Sequence, residues 1–530
     1  MSEQWQSQSA NPAARVEKVK EDLTGRDRLV SNVIFSWVGH FVFIVAGFIL
    51  PRMIDRRLGQ ELLGVWDFAW SIVSYFNLVE LGVGGSVNRY VAKYRIVGDI
   101  GGVNRTVSSA SFILGVTGIL IFGITIIVSL LLPQLFGTRL GENVNEAQGV
   151  ILFLGASVAV QIALGVFGGI LMGCHRWKLQ NLVMSTGHAV TIVGMIIALV
   201  MGGGLRAISV IFLIGDTFFI RLIRVILAYR VCKGLRLGLS MVGWKMIREL
   251  YVFGGKSLIP ILSKMLLSQT TSVLIVVYLG PASLALYSRP FSLVRHIEQL
   301  VLKIAAVLRP TVSAMQSADD LQGIRELLKK SVRYSLYMVL PMVLVLSFFG
   351  DAIMQFWMGP RYANWIIPAI LAIGFLAYLV QSPAVQVLAG LNAHGRAGLA
   401  QLIASLCSAG LVVIVLGFLK WGLVGAALAV TLPMTLMNVI YLPQLVCRRV
   451  GLNLREYLVS VTLGPLLHIL PFAMCLLVAR LIFHTNLLLG LIIGGTAGGA
   501  FLAVVYFQYV LPDRIRRRLI RFIGLKGSVA

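Results

Sequence analysis

The stretch RPFSLVRHIEQLVLKIAAVLRP, residues 289–310, is as long as a membrane-crossing helix and mostly apolar. Yet it carries Arg289, Arg295, His296, Glu298, Gln299 and Lys303. A charge at the bilayer centre costs a few kcal/mol or more, so such residues persist where they face water or one another. At roughly 100° per residue, Arg289, Ser292, Arg295, His296, Gln299 and Lys303 fall within about a third of the helix circumference. Leu293, Val294, Ile297, Leu300, Val301 and Ile304 take the other side. Ser257, Lys264, Ser268 and Thr271 form a second stripe, Asp67, Ser71, Ser74 and Asn77 a third, and Asn32, Ser36 and His40 a fourth. Lone hydroxyls commonly glue helices together, but Lys264 in mid-span is harder to explain that way. For 289–310 the alternative is an amphipathic helix lying on the membrane. The stripes predict a water-filled cavity with a basic wall.

Such a wall suits an anion. Arginine presents a fork of donors that matches phosphate oxygens, and lysine serves as a point charge. Lys264, Arg289, Arg295 and Lys303 are the candidate phosphate ligands, with His296 and Gln299 on the same face. Asp67, Glu80, Asp216 and Glu298 are the embedded or nearly embedded acids that a proton or sodium gradient would use. Each of them reads equally as half of a local salt bridge, for instance Asp216 with Arg221 or Arg224.

The elements that must position these residues are membrane helices. The chain has 530 residues, of which 58% are hydrophobic and 13% charged, with a mean hydropathy of +0.88. A soluble domain is about a quarter charged. Apolar runs long enough to cross a bilayer recur throughout, and no alternating strands point to a barrel. The expected fold is an all-α polytopic membrane protein with about fourteen spans, near 32–53, 62–86, 107–132, 148–172, 179–201, 207–228, 257–279, 284–308, 332–350, 364–390, 399–419, 421–443, 457–482 and 486–510. Of the 46 Lys and Arg, 32 fall in or at the edges of connections on the side of the N-terminus, which places both termini in the cytosol. That distribution accounts for the net charge of +25 through topogenesis and contact with anionic lipid, without nucleic acid. Five scattered cysteines lack CxxC spacing, so neither a disulfide framework nor a zinc site is expected.

The chain also repeats itself. LGQELLGVW (58–66) and LGPASLALY (279–287) match 221 positions apart, and GCHRWKLQN has a loose counterpart in GLNAHGRAG. The predicted plan is a cytosolic tail at 1–28, six-helix bundles at 29–228 and 257–443, and a cytosolic amphipathic linker at 229–256 between them. Two further helices at 444–510 and a basic cytosolic tail at 511–530 follow. The bundles are expected to enclose a central cavity, a transporter architecture.

LGQELLGVW, ELGVGGSVNRYVAKY (80–94), LGPASLALYS (279–288) and FWMGPRYANW (356–365) together carry a resemblance. Over residues 29–510 the sequence resembles an oligosaccharide flippase of the polysaccharide transporter family, in the multidrug/oligosaccharidyl-lipid/polysaccharide exporter superfamily. The resemblance implies a multi-pass protein of the bacterial inner membrane that moves an undecaprenyl-pyrophosphate-linked glycan from the inner to the outer leaflet by alternating access. It implies no cofactor, a proton or sodium gradient as the drive, and surface polysaccharide biosynthesis as the setting. The expected partners are the lipid-linked glycan, membrane lipids, a polysaccharide polymerase and glycosyltransferases. The resemblance supplies no catalytic motif.

Other functions fit less well. A peptidoglycan-precursor flippase or a cation-coupled multidrug exporter would share the fold, but a drug exporter wants an acidic, aromatic cavity. A glycan polymerase or ligase needs an outer-face site, and no outer connection exceeds about fifteen residues. GVGGSVN lacks the preceding strand of a phosphate cradle. Gly165, Gly169 and Gly173, like Gly490, Gly494 and Gly498, fit small-xxx-small packing. Asn104-Arg105-Thr106 is a sequon on the cytosolic side. The seven histidines form no HExxH or HxxxH pair.

The topology is testable by cysteine labelling in a Cys-free background. Reagent outside the cell should reach FWMGPRYANW (356–365), whereas SADDLQGIREL (317–327) should react only from inside. External labelling of the second segment would overturn the orientation.

Overall fold

The computed structural model describes residues 29–78, 83–255, 258–511, 513, 516 and 517. Among them every regular element is helical. In hydrocarbon each backbone N–H and C=O must be satisfied within its own segment, so runs of Leu, Ile, Val and Ala become helices. Among the described residues eight segments are long and apolar enough to span a membrane, or up to ten if each of two bent pairs is one span. The expected fourteen is not reproduced by that measure, for physical reasons. The 64-residue segment Ile100–Ala163 holds two expected spans. Helix Pro281–Ala305 carries Arg289, Arg295, Glu298 and Lys303, and the stretch 205–231 carries Asp216, Arg221 and Arg224, so neither is apolar enough.

Contacts divide the chain into two compact units, residues 1–285 and 286–530. This division groups residues 258–279 with the first unit, whereas the repeat pattern starts the second bundle at 257. In the first unit Ile100–Leu140 packs along Val144–Ala163, Leu29–Leu58 along Trp177–Val200, and Val83–Ile96 against Gly165–Gly173. In the second, Leu321–Met358 packs on Ile366–Val380, which packs on Gly422–Leu436, and Leu308–Ser317 lies against Ser382–Gly390. The added hairpin Leu470–Ile482 and Leu487–Val505 closes on itself and on Leu321–Met358.

The repeat is written into the backbone. Asp99 caps one helix by accepting from Gly102 N at 2.7 Å, and Asp320 does the same with Gly323 N at 2.7 Å, 221 positions on. The preceding residues, Gly98 and Asp319, both have positive φ (75° and 54°). A Cβ on Gly173 would lie 2.9 Å from the Asn88 carbonyl oxygen and 2.8 Å from Val91 Cβ. On Gly390 it would lie 2.9 Å from the Arg309 carbonyl oxygen and 2.7 Å from Val312 Cβ. Both Asn88 and Arg309, and Val91 and Val312, are again 221 apart. In each half a side chain of the third helix holds the loop that follows the sixth. Asn104 Nδ2 donates to the Gly234 carbonyl (3.1 Å), and Arg325 Nε to the Val450 carbonyl (2.7 Å).

The linker is anchored on one side. Asn104 Oδ1 also accepts from Arg236 N (3.0 Å), Ser108 from Gly238 N (3.2 Å) and Ser109 from Gly243 N (3.1 Å). With both ends of its amide engaged, buried Asn104 is a tether and not a glycan acceptor. Helix Trp244–Gly255 follows and leaves Trp244 79% and Val252 60% exposed, an apolar edge of the kind that dips into a membrane interface. Residues 1–28 and most of the 511–530 tail lie outside the described residues.

Adding a methyl at either matched glycine should cost about 1–3 kcal/mol, because the neighbour on one side is backbone. Gly173→Ala and Gly390→Ala should therefore both lower the melting temperature of the purified protein. Gly115 meets no atom within 4 Å, so Gly115→Ala should leave it unchanged or raise it. If all three variants melt together, the matched packing is wrong.

Candidate functional site

Helix Pro281–Ala305 is amphipathic and turns its apolar side inward. Leu293, Val294, Ile297 and Val301 are buried, while Arg295 and Gln299 are exposed and His296 and Lys303 half-buried. Arg289 departs from the stripe: it is only 6% exposed. The helical wheel gave its direction but not its depth, and Arg289 lies where Tyr287 and Pro290 are buried beside it.

An aromatic ladder backs the stripe. Tyr287 stacks on Phe291 with ring centroids 5.7 Å apart, and Phe291 meets Phe375 at 5.7 Å. Phe375 packs edge-on to Tyr378 at 6.0 Å. The Arg295 guanidinium sits 5.5 Å from the centre of the Phe291 ring, a cation–π contact that steers a planar cation without using its N–H donors. Glu298, three residues on, is buried, with Tyr378 Oη donating to its Oε1 at 2.9 Å. These contacts present one side of the helix as a cationic strip of Arg295, Gln299 and Lys303 and seat the acid in the packed side.

The other expected residues fall elsewhere. Lys264 is exposed on Leu258–Met265 in the first unit, and Asp67 is half-buried on Gln60–Ser74. Several hydroxyls of those stripes are spent on their own helices. Ser71 donates to the Asp67 carbonyl (2.9 Å), Ser74 to that of Trp70 (2.6 Å) and Thr271 to that of Leu267 (2.8 Å). Glu80 and Ser257 lie outside the described residues, as do the side chains of Asn32, Ser36 and His40.

Asp216 is held on both oxygens. Arg221 Nε and Nη2 donate to Oδ2 and Oδ1 at 3.0 and 3.2 Å, with both side chains buried. Residues five apart point about 140° away from each other in an α-helix; here 216–222 is a π-helical turn, whose wider winding brings the pair together. Arg224 is buried one turn on, against Gly168 and Gln180. Another pair went unforeseen: Arg480 Nη1 and Nη2 donate to Asp351 Oδ1 and Oδ2 at 3.0 and 2.8 Å, and Nη1 also reaches the Phe348 carbonyl. It joins residues 129 positions apart, beyond any local pattern. Among the described residues no group of three or more His, Cys, Asp or Glu is close enough to hold a metal ion.

The model of a family described as polysaccharide biosynthesis protein matches residues 102–367. The chain is 22% identical over 419 residues to a Shigella flexneri protein designated an O-antigen transporter, covering 76% of this chain and 94% of that one. It is 30% identical over 138 residues to stage V sporulation protein B of Bacillus subtilis, about a quarter (26%) of either chain. Among solved structures, the lipid II flippase MurJ in an inward closed conformation aligns with a TM-score of 0.67 at 15% identity, covering 90% of this chain and 100% of that one. An inward-facing multidrug resistance MATE family transporter of the MOP superfamily aligns with a TM-score of 0.66 at 15% identity, covering 77% and 94%. At such identities the structural likeness establishes the fold.

Leaving Arg221 and Arg224 buried without their acid should be severe, on the order of 3–5 kcal/mol. Asp216→Asn should therefore reduce membrane abundance and melting temperature before any effect on transport is read. A well-expressed, thermally unchanged Asp216→Asn protein would show that the pair is no anchor.

Proposed function

Because the chain belongs to the polysaccharide biosynthesis protein family and is a multi-pass membrane transporter rather than an enzyme, we propose that it flips a lipid-linked oligosaccharide. The carrier is an undecaprenyl-pyrophosphate, moved from the inner to the outer leaflet of the bacterial inner membrane by alternating access. The cytosolic placement of both termini follows from the basic connections. One observation carries the substrate class: the cationic strip of Arg295 and Lys303 with Gln299 between them, on a helix long enough to cross the bilayer. Pyrophosphate offers two adjacent charged groups to such a strip. Arg295 would chelate phosphoryl oxygens through its fork of donors, and Lys303 would follow as a point charge.

The state of the acids supports an anion over a cationic drug. Asp216 is neutralised by Arg221, Asp351 by Arg480, and Glu298 accepts from Tyr378. Glu298, buried on the same helix as the strip, is the acid we assign to gradient coupling. Lys264 on the first unit is a further cation for the substrate. A peptidoglycan precursor carries the same pyrophosphate, so discrimination between the two must lie in the glycan.

Arg295→Ala and Lys303→Ala should each cut complementation of surface-glycan display in a flippase-deficient strain. One charge-assisted contact contributes roughly 1.5–3 kcal/mol, about tenfold to a hundredfold in affinity. Arg295→Lys should rescue only in part, because charge returns without the fork. Arg289→Ala, at a buried site, should instead lower abundance, and Lys264→Ala should behave like Lys303→Ala. Normal glycan display by well-expressed Arg295 and Lys303 variants would remove the mechanism.

A further inference from the structure

The second unit holds a second basic feature, remote in sequence from the strip. A pocket of about 610 Å³ is lined by Asn392, Arg396, Tyr441, Gln444, Arg448 and Arg449 together with Leu388, Leu445 and two small residues, and no carboxylate lines it. Arg396 comes from the first turn of His394–Val413, and Arg448 and Arg449 from the last turn of Leu442–Val450. The turn before Arg396 is sharpened by Asn392 in the left-handed region (φ 53°), which brings the helix start over the arginines. Three exposed guanidiniums with two amides and a phenol among them make a pocket with a net charge of +3.

A groove of about 750 Å³ runs on from this pocket, sharing Arg396 and Tyr441 with it. Its walls are Leu399, Ile403 and Leu411 of one helix and Leu432 and Leu436 of the next, with Ala400 and Ala404 as its floor. Leu399, Ile403, Leu432 and Leu436 are each at least half exposed (51%, 54%, 54% and 50%). Both helices turn π-helical, at Ile414–Leu419 and Met437–Tyr441, and Pro433 leaves one backbone carbonyl of the second without its N–H. From Arg396 to Leu411 the groove runs about 22 Å along a helix. That exceeds the roughly 15 Å of one leaflet's hydrocarbon.

We infer that Arg396, Arg448 and Arg449 hold the phosphate of a resident anionic phospholipid whose acyl chain lies in the groove between His394–Val413 and Gly422–Leu436. The two halves of the site make opposite demands that one molecule meets: an anion at the basic end and a chain in the apolar run. Topogenesis explains basic residues at a helix end, but not their convergence with Tyr441, Asn392 and Gln444 on one concavity that opens into a groove. Basic pockets between spanning helices are suited to anionic headgroups. The leaflet follows from the orientation proposed above and is the inner one; the site itself depends on neither that orientation nor the transported substrate.

Native mass spectrometry of the full chain in detergent, after exchange into lipid of stated composition, tests this. The wild type should retain phosphatidylglycerol at least tenfold better than phosphatidylethanolamine. Arg448→Gln with Arg449→Gln should abolish that preference. Ile403→Trp, which fills the groove and keeps every arginine, should also weaken retention severalfold. Each variant's melting temperature in phosphatidylethanolamine alone should equal that of the wild type; where the double variant fails to fold, Arg396→Gln and Ile403→Trp carry the test. Equal retention of the two lipids, or variants that retain phosphatidylglycerol like the wild type, overturns the site. So does protection by inorganic phosphate alone to the same extent, which would make it an anion site without a tail. Retention of an undecaprenyl pyrophosphate in place of phosphatidylglycerol, lost in the same variants, would overturn it in favour of a substrate-loading station. None of these readouts measures transport, so the lipid site and the flippase reading fail separately.

Discussion

The cost of a charge in hydrocarbon governs where the embedded ionic side chains of this chain stand. A buried ion must be paired and hydrogen-bonded or it does not stay buried. Asp216 meets that demand through a π-helical turn that lets Arg221 close on both its oxygens. Asp351 meets it across 129 positions through Arg480, at the non-helical Phe349 (φ −130°, ψ 22°) that bends its helix. That second pair ties the added hairpin to Leu321–Met358 and gives the two extra helices a fixed seat. Arg295 and Lys303 are different, because their helix buries its apolar side and leaves their side of it less covered. A charge kept there needs an aqueous face, and an aqueous face inside a membrane protein is a path for something polar.

The repeated scaffold makes this asymmetry visible. The caps, the residues that crowd the tight glycines and the side chains that tether the loops recur 221 positions apart, and the glycines themselves 217 apart. At the same offset Ser292 corresponds to Ser71, Arg295 to Ser74 and Glu298 to Asn77. In the first half the two serines donate to their own helix, and the helix breaks after Ser74 into the tighter turn Tyr75–Leu78. In the second half the helix continues unbroken to Ala305 and carries charge. Duplication supplied two equal frames, and only one became cationic along this helix.

Much of this was readable from the chain alone, for identifiable reasons. Hydropathy fixes helices because lipid allows little else, and the glycine pairs kept their spacing because a Cβ has no room. Asp216 with Arg221 was a foreseeable alternative because its partners are local. What escaped depends on depth or on distance. Arg289 shares a wheel sector with Arg295, but a wheel says nothing of burial. The counts of basic residues treated Arg448 and Arg449 as topogenic, and their pocket appears only when Arg396, some fifty positions earlier, folds over them. Asn104 looked like a sequon, and its amide is instead the clamp on a loop 130 positions away.

Taken together, the charges divide by task. In the first unit the buried ones are spent on structure, Asp216 with Arg221 foremost, and the hydroxyl stripe satisfies carbonyls. In the second unit the strip on Pro281–Ala305 and the pocket at Arg396, Arg448 and Arg449 both present guanidinium groups on exposed side chains, and no carboxylate lines the pocket. A guanidinium in that condition is matched by phosphate, the commonest anion that a bilayer presents. On the reading proposed above, the strip meets an anion that must travel. The pocket sits at the helix ends beside an apolar groove and suits one that stays. On the two proposals made above, one unit handles phosphate twice, once as cargo and once as an anchor, and the difference between the two lies in whether an apolar groove is built beside the arginines.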